Sequence, residues 1–314
     1  MAVGELKAHQ RFSNYDKSHS WQYEIRIQNQ QEDLRIANLT EEESLNLSIA
    51  DFNFFYVSKD DQLGCQEIKA FIERHEWLGK MPMAVTHRFT ARLKGSNLLA
   101  GVIVMATPNT FSFLLGEEGK NLEKLIARGA CISWSPKNLG SWLIMKSIKW
   151  MVANTEFRYF TAYSDPEAKE LGTIYQACNF IYLGQKFGGG YQYLDPKNTE
   201  RGWFGESGFS DRSQIVRYAK SVGLEWQDEW YRRVGAKKNY RKINWDTIPP
   251  LWAYLLKQER NKHKNSCQKR RSPAKHKYCY ILGETKRETK HLQQLFNLHN
   301  PEKNNLSYPQ IRGE

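Results

Sequence analysis

Three residues between positions 125 and 184 are the leading candidates for acid–base or charge chemistry. Asp165 comes directly before a proline, a position suited either to a base or to the cap of the helical turn that follows. Tyr175 offers a phenol that either donates a proton or packs as an aromatic ring. Arg128 interrupts an apolar run, and a buried charge needs a partner such as Asp165 or a substrate anion. Each residue therefore has a chemical and a structural interpretation.

The elements that position these residues alternate between strand and helix. We predict strands over residues 125–134, 158–164 and 180–183, and helices over residues 141–152 and 172–179. A loop from Ser135 to Gly140 separates the first strand from the first helix. Such a loop points backbone N–H groups at whatever lies above the helix start, which suits a pyrophosphate.

Upstream residues supply further elements. Residues 86–93 and 98–106 predict a β-hairpin around Lys94-Gly95-Ser96-Asn97, preceded by a strand at 51–57 and a short helix at 65–74. Residues 1–50 are polar and weakly patterned, apart from an acidic run that predicts a solvated helix start at Glu41. We assign no chemistry to this segment.

The central stretch resembles the GNAT acyltransferase superfamily, whose acyl-CoA loop follows the pattern Gln or Arg, two residues, Gly, one residue, Gly or Ala. Lys137 takes the basic position and Gly140 matches, whereas Trp142 replaces the last small residue. More specifically, residues 68–190 are similar to the Mom family of phage DNA-modification proteins, a divergent GNAT branch that modifies the N6 amine of adenine in DNA. The matching residues are Ala127-Arg128, Pro136-Lys137-Asn138, Ser141-Trp142, Tyr163-Ser164-Asp165-Pro166, Gly172-Thr173-Ile174-Tyr175-Gln176-Ala177 and Phe180-Ile181-Tyr182-Leu183-Gly184.

The resemblance implies an α+β fold, an α/β mixed sheet of the GNAT-like acyl-CoA transferase type. It implies that acetyl-CoA or another acyl-CoA binds the loop and helix start, at Pro136, Lys137, Asn138, Gly140 and Ser141. Asp165 would act as base or base-orienting group, Tyr175 as proton donor to the leaving thiolate, and Arg128 as charge partner. Ser141 would serve as helix cap, phosphate ligand or hydrogen-bond partner of the acceptor.

The implied activity is addition of an acyl-CoA-derived group to the N6 amine of adenine in DNA. Such a modification would protect phage DNA from restriction endonucleases. Two alternatives stay open: a GNAT N-acetyltransferase acting on protein, a small amine or RNA, and a non-catalytic DNA-binding protein on a transferase-like fold. The bulk of Trp142, which could obstruct the CoA phosphates, favours the second alternative.

Two histidines and a tryptophan precede or open the hairpin. The resemblance implies that a histidine-containing segment here approaches the acceptor pocket, and that iron is associated with the family. His75 and His87 are therefore considered as ligands of iron or zinc together with a carboxylate such as Asp165, although packing roles are favoured. Trp77 is interpreted as a pocket-wall aromatic or as a stacking surface for a base.

Bulk composition favours a polyanionic partner such as double-stranded DNA. The 314 residues carry a net charge of +12. Five scattered cysteines without a CxxC pair argue against a disulfide scaffold or a structural zinc site, and favour a reducing cytoplasm. No apolar run approaches membrane-span length and the first residues lack the apolar core of a secretory signal. We expect a protein of the cytoplasm, the bacterial host's if phage-encoded.

Positive charge is concentrated after residue 231, interleaved with aromatic residues, a pattern expected of a nucleic-acid surface. The alternative is a basic, partly disordered linker, which is the structure predicted for residues 261–275. A strand at 278–281 is predicted to return to the main sheet. The candidate nucleic-acid-binding residues are Trp77, Arg212, Arg217, Arg232, Arg233, Lys237, Lys238, Arg241, Lys242, Lys269, Arg270 and Arg271.

The predicted organisation has three parts. Residues 1–50 form a polar segment, residues 51–230 a GNAT-like catalytic domain, and residues 231–314 a basic extension whose final strand returns to the core.

Overall fold

The main sheet of the computed structural model combines antiparallel and parallel strands. The structure describes residues 20–82, 84–187, 190–233, 241–303 and 306–310, with only the backbone described at residues 232, 233, 241 and 242. Within these residues, seven strands form the sheet: β1 (Phe52–Val57), β2 (Val85–Leu93), β3 (Leu99–Ala106), β4 (Glu123–Cys131), β5 (Tyr159–Ser164), β6 (Ile181–Phe187) and β12 (Ala274–Ile281). Their order across the sheet is β1-β2-β3-β4-β5-β12-β6.

The strand directions follow from the connections. Strands β1 to β4 are antiparallel neighbours, and the predicted hairpin turns between β2 and β3. Strand β5 runs parallel to β4 because a helix connects the two. Strand β12 is antiparallel to β5 and contains the predicted returning strand at residues 278–281. The predicted fold class, an α+β fold with a mixed sheet, is confirmed.

Helices cover both faces of this sheet. The described helices of the chain are α1 (Trp21–Ala37), α2 (Glu41–Asn46), α3 (Gln62–His75), α4 (Leu139–Asn154), α5 (Thr173–Ala177), α6 (Arg212–Ser221), α7 (Pro250–Ser266) and α8 (Lys286–His299). Every residue of β3 is buried, which requires cover on both sides. Helix α3 contributes Ile68 and Ile72 to the core, and α4 contributes Leu143 and Ile148.

The chain divides into two compact units. The first comprises Met1–Lys186 and Ala274–Glu314, and the second comprises Phe187–Pro273. The second unit therefore lies in sequence between β6 and β12, and the domain boundary placed at residue 231 falls inside it. It has its own apolar core around Ile215 and Leu256. Its strands are β7 (Tyr191–Leu194), β8 (Phe204–Gly205) and β11 (Gln268–Arg271) in one sheet, and β9 (Tyr231–Arg233) with β10 (Arg241–Ile243) in a pair.

The prediction of a disordered linker over residues 261–275 is wrong. Helix α7 continues to Ser266, and β11 then pairs antiparallel with β7. Cation–π contacts with aromatic rings stabilise this segment, although it has few apolar residues of its own. Lys269 Nζ lies 3.9 Å from the centre of the Tyr191 ring. Backbone pairing and these contacts order a segment whose composition is typical of disorder.

The N-terminal segment, to which the sequence analysis assigned no chemistry, holds the loop that follows β4. Asp33 of α1 is buried and accepts hydrogen bonds at 2.7 Å from both Ser133 Oγ and Arg74 Nη2. Arg26 donates to the carbonyl of Ser133 at 2.6 Å. These bonds join α1, the end of α3 and the loop after β4. The solvated helix start at Glu41 is confirmed by a capping box between Thr40 and Glu43.

None of the described helices is both long enough and apolar enough to cross a bilayer.

We expect Asp33→Ala to lower the free energy of unfolding by about 3 kcal/mol, because the change leaves Ser133 and Arg74 without their shared acceptor in a buried site. Glu42→Ala, at an exposed position of α2, is the control and should change stability by less than about 0.5 kcal/mol. Urea denaturation followed by circular dichroism measures both. Equal midpoints for the two variants would show that the Asp33 contacts contribute nothing.

Candidate active site

The pairing between β4 and β5 ends part-way along both strands. Residues 123–126 of β4 pair with residues 159–162 of β5. Against β3, the register of β4 then skips Ala127, which forms a β-bulge. A bulge bends its strand, so the sheet opens beyond Ile126 and Ala162 at the carboxyl ends of two parallel strands. Ligands of open α/β sheets bind at such a position.

The start of α4 supplies unpaired amides at this opening. Asn138 adopts φ 67°, a left-handed conformation that asparagine tolerates, and its side chain does not cap the helix. Leu139 N donates to Pro136 O at 3.3 Å and Trp142 N donates to Asn138 O at 2.8 Å. The amides of Gly140 and Ser141 have no acceptor among the described residues. Two free N–H groups and the positive end of the helix dipole favour an anion here.

Gly140 packs closely against α5. A Cβ at this position would lie 2.8 Å from Ile174 Cδ1 of α5 and 3.5 Å from Cys131 Sγ. A glycine therefore lets the start of α4 approach α5 closely. The Trp142 ring lies edge-on to Phe54 at 6.4 Å and packs against the core. The bulky indole of Trp142 is therefore part of the apolar packing around the core.

The remaining loop residues differ in exposure. Lys137 is exposed, and Pro136 and Asn138 are half-buried. Ser141 Oγ donates to Asn138 O at 3.0 Å, so its hydroxyl closes the first turn of the helix.

Arg128 follows the bulge, and its partner is Glu76, not Asp165. Its Nε lies 3.8 Å from Glu76 Oε2 and donates to the carbonyl of Lys80 at 2.9 Å. Glu76 Oε2 also accepts from the backbone N–H groups of Leu78 and Gly79, at 3.1 Å each. The turn after α3 thus brings its carboxylate to the bulge. Sequence pattern alone does not reveal Glu76, because only the packing of α3 against β4 brings it near.

Asp165 caps the short turn Pro166–Ala168 and pairs with a lysine. It accepts from Glu167 N at 3.1 Å, and its Oδ2 lies 2.9 Å from Lys275 Nζ. The structural alternative for this residue is therefore realised. Its carboxylate nonetheless stays at the end of β5, beside the opening.

Tyr175 is half-buried in α5, and its ring lies 5.3 Å from the rings of both Phe180 and Tyr278. Its hydroxyl has no hydrogen-bond partner among the described residues. Burial raises the pKa of Tyr175 well above its ordinary value, and the negative charge of Glu170 adds to the shift. The phenol therefore stays protonated at neutral pH, the state that a proton donor needs.

Electrostatic interactions connect these groups. Burial raises the pKa of the Glu76 carboxyl, while the positive charges of Arg128 and Lys275 oppose that rise. The charge of Glu76 in turn contributes to the raised pKa of Tyr175. Carboxylates with a raised pKa beside opposite charges are typical of functional sites.

A second arginine faces the same side of the sheet as Arg128. Arg88 pairs in register with Val104, which pairs with Arg128. Two nitrogens of its guanidinium, Nε and Nη1, are buried and lack partners among the described residues. Because a buried guanidinium without partners is costly, this side chain is suited to an anionic or acceptor ligand. Arg88 was not among the predicted site residues, although a charged residue within an alternating strand is a signal that the sequence contains.

The two histidines are not brought together with Asp165. His75 is buried against Asp33, with 3.6 Å between Nδ1 and Oδ2, and packs on Phe71. His87 lies among aromatic rings, 6.1 Å from that of Trp150. Among the described residues, the group able to hold a metal ion lies elsewhere, in the second unit. The favoured packing interpretation fits both positions.

The candidate nucleic-acid-binding residues fall into three groups. Trp77 lies after α3, edge-on to Trp21 at 5.4 Å. In the second unit, Arg212 is held by Asp228 at 2.5 Å, whereas the basic residues of β11 lie along aromatic side chains. Arg217 acts on Asp195 through its charge. Lys237 and Lys238 lie outside the described residues, and only the backbone is described for Arg232, Arg233, Arg241 and Lys242.

Fold and site together define an α+β domain whose mixed sheet opens at a helix start with free amides, beside a charged cluster. Residues 57–201 match the model of the Mom protein family, so the predicted resemblance to that family is confirmed over this segment. No curated protein matches the chain.

Solved acetyltransferases resemble part of the structure. The ribosomal-protein-S5-alanine acetyltransferase from Vibrio fischeri is 12% identical, with a TM-score of 0.33 over 44% of this chain and 83% of its own. Arabidopsis thaliana NAA60 in complex with acetyl-CoA is 14% identical, with a TM-score of 0.31 over 46% of this chain and 90% of its own.

We expect His87 to make stability depend on pH. Burial, with the charges of Lys124 and Arg88, lowers the pKa of His87 from 6.5 to about 4. The folded state binds this proton less well than the unfolded state. The contribution of His87 to stability is therefore fully present above pH 6.5 and is lost as pH falls towards 4. The loss should be about 1–2 kcal/mol, since the ring is only partly buried.

Urea denaturation at pH 7.5 and pH 4.5 measures this loss. His87→Gln should reduce the difference between the two pH values, whereas His291→Gln, on the surface helix α8, should leave it unchanged. An identical pH dependence in wild type and His87→Gln would contradict the assignment of a buried, neutral imidazole.

Proposed function

We propose that this protein is a DNA-modifying enzyme that adds an acyl-CoA-derived group to the N6 amine of adenine. The observation that carries the proposal is the match to the Mom protein family over residues 57–201, a span that contains the sheet opening, Arg128, Asp165 and Tyr175. Modified adenines would be poor substrates for restriction endonucleases, which gives the activity its purpose in protecting phage DNA.

Acyl-CoA would bind at the start of α4. The free amides of Gly140 and Ser141 suit the pyrophosphate, and exposed Lys137 adds a positive charge beside them. When bound, acyl-CoA supplies the activated acyl carbon and a thiolate leaving group. Because the Trp142 ring packs against Phe54, the indole does not argue for a decayed site.

Two proton transfers fall to residues of the cluster. The N6 nitrogen of adenine forms the new bond to the acyl carbon as the carbon–sulfur bond breaks, and N6 loses a proton while the thiolate gains one. Tyr175 is the proposed donor to the thiolate, because its phenol is protonated at neutral pH and its hydroxyl has no hydrogen-bond partner among the described residues. Asp165 or Glu76 takes the proton from N6. Glu76 is the stronger candidate, because burial raises its pKa whereas Asp165 is held by Lys275.

The acceptor amine imposes a further demand. Adenine N6 is a weak nucleophile because its lone pair is delocalised into the ring, and the base must leave the stack at a cost of a few kcal/mol. Arg128 lies at the opening, and Arg88 faces the same side of the sheet two strands away. Guanidinium groups there suit an adenine ring acceptor or the flanking phosphate.

DNA binding is proposed for the sheet of the second unit. Lys269 lies over Tyr191, and the Arg270 guanidinium lies 4.1 Å from the centre of the Trp203 ring. Arg271 ends the strand with an exposed side chain. Cations arranged along aromatic rings can bind phosphates while the rings remain available for stacking.

We expect Tyr175→Phe and Glu76→Gln to lower the fraction of modified deoxyadenosine at least about 100-fold, because each removes a proton-transfer group. Mass spectrometry of nucleosides from plasmid DNA in expressing cells measures that fraction. Asp165→Asn distinguishes the two acids: a loss in this variant with normal activity in Glu76→Gln would assign the base to Asp165. Tyr254→Phe, an exposed tyrosine of α7, is the matched control.

The outcome with wild-type protein separates the alternatives. A heavier deoxyadenosine supports the proposal. Unmodified DNA together with acetyl-CoA binding would indicate an ordinary N-acetyltransferase. DNA binding without acyl-CoA affinity would indicate a non-catalytic DNA-binding protein.

We expect Lys269→Ala with Arg271→Ala to reduce the salt dependence of DNA binding. The slope of log K against log salt concentration should fall in magnitude by about two, one for each lost phosphate contact. Fluorescence anisotropy with a labelled duplex measures the slope. Arg212→Ala is the control, because the partner of Arg212 is Asp228 and its loss should change the slope much less. An unchanged slope in the double variant would place the DNA surface elsewhere.

A further inference from the structure

Three residues of the second unit bring different metal-binding atoms together. Asp195 directly follows β7, and His263 and Cys267 lie four residues apart at the end of α7. A spacing of four puts two side chains on the same side of a helix. His263 Nε2 lies 3.0 Å from Asp195 Oδ2, and the ligand atoms of all three residues lie within 4.8 Å of one another. Two ligands of one tetrahedral zinc ion lie about 3.3 Å apart.

The surroundings of these residues fix their orientation. The second ring nitrogen of His263, Nδ1, lies 2.6 Å from the hydroxyl of Tyr218. Asp195 Oδ1 accepts from Lys197 N at 2.9 Å, which leaves Oδ2 directed at the histidine. Phe209, fully buried, packs edge-on against the imidazole. Polar partners that orient a histidine and a carboxylate, beside an apolar ring, are typical of metal centres.

The charge balance also fits a divalent cation. A carboxylate and a thiolate together neutralise the two charges of the ion. Burial and the negative charge of Asp195 raise the pKa of the Cys267 thiol, and the positive charge of Arg201 opposes that rise, so the thiolate form needs the charge of the ion itself. Arg201 is itself paired with Asp211 at 2.9 Å.

We propose that Asp195, His263 and Cys267 bind a zinc ion that joins β7 to the end of α7. The nitrogen, sulfur and oxygen donors suit zinc better than magnesium or calcium, which prefer oxygen alone. Binding releases the thiol proton of Cys267 to solvent, His263 coordinates through Nε2, and Nδ1–H donates to Tyr218. Three protein ligands leave one tetrahedral position for water.

The position of the proposed ion indicates a structural role at the start of β11. Cys267 immediately precedes β11, so the ion fixes the start of the basic strand whose partner is β7. The predicted consequence is a more stable second unit. The zinc site does not depend on adenine modification, and its test does not use that activity.

Metal analysis of the purified full chain tests the site. After expression with zinc and removal of loosely bound metal, wild type should retain about one zinc per chain. Cys267→Ser and His263→Gln should each retain less than about a tenth of that amount. Cys65→Ser, the same change at a half-buried cysteine of the first unit, is the matched control and should keep the wild-type content.

Cobalt replacement and chelation make the test independent of variant folding. Cobalt-loaded wild type should show a thiolate-to-metal charge-transfer band, which Cys267→Ser should lack and Cys65→Ser should keep. A chelator should lower the melting temperature of wild type, and added zinc should restore it. Wild-type protein that retains no zinc and shows no cobalt band overturns the proposal, as does a band that persists in Cys267→Ser.

Discussion

The single extra residue at Ala127 determines how the rest of the site is built. Before it, β4 pairs with strands on both sides; after it, β4 pairs with β3 alone. The chain therefore leaves the sheet away from β5, turns through Asn138 and begins α4 with two free amides at the gap. If β4 and β5 were hydrogen-bonded along their whole length, strand residues would occupy this space. The space for the site therefore exists only because a few backbone hydrogen bonds between β4 and β5 are not formed.

Charged contacts hold the edges of this opening where an apolar core cannot reach. Arg128 is held by Glu76, Asp165 by Lys275, and the loop before α4 by Arg26 and Asp33. Each contact joins segments that are distant in sequence. These contacts link the segments around the opening, while the Tyr175 hydroxyl has no hydrogen-bond partner among the described residues. This division between structural and available polar groups is what a preorganised site requires.

Local pattern predicted the elements but not their partners. The strands and helices between residues 123 and 187 were predicted within a few residues, because hydrophobic periodicity and turn residues are local signals. The pairing of Arg128 with Glu76 depends on how α3 packs on β4, which no local signal encodes. Residues 261–275 look disordered by composition, yet cation–π contacts and pairing with β7 order them. Likewise, the histidine and cysteine at the end of α7 form a candidate metal site only because β7 brings Asp195 beside them.

The second unit enters the chain between β6 and β12, which are adjacent strands of the main sheet. All seven described strands of the main sheet therefore come from the first unit or its border, and the inserted unit's strands form sheets of their own. Evolution can lengthen, replace or delete the insert without disturbing the bulge, the opening or the start of α4. The part of the protein that we propose to bind DNA can in this way diversify while the chemistry remains constant.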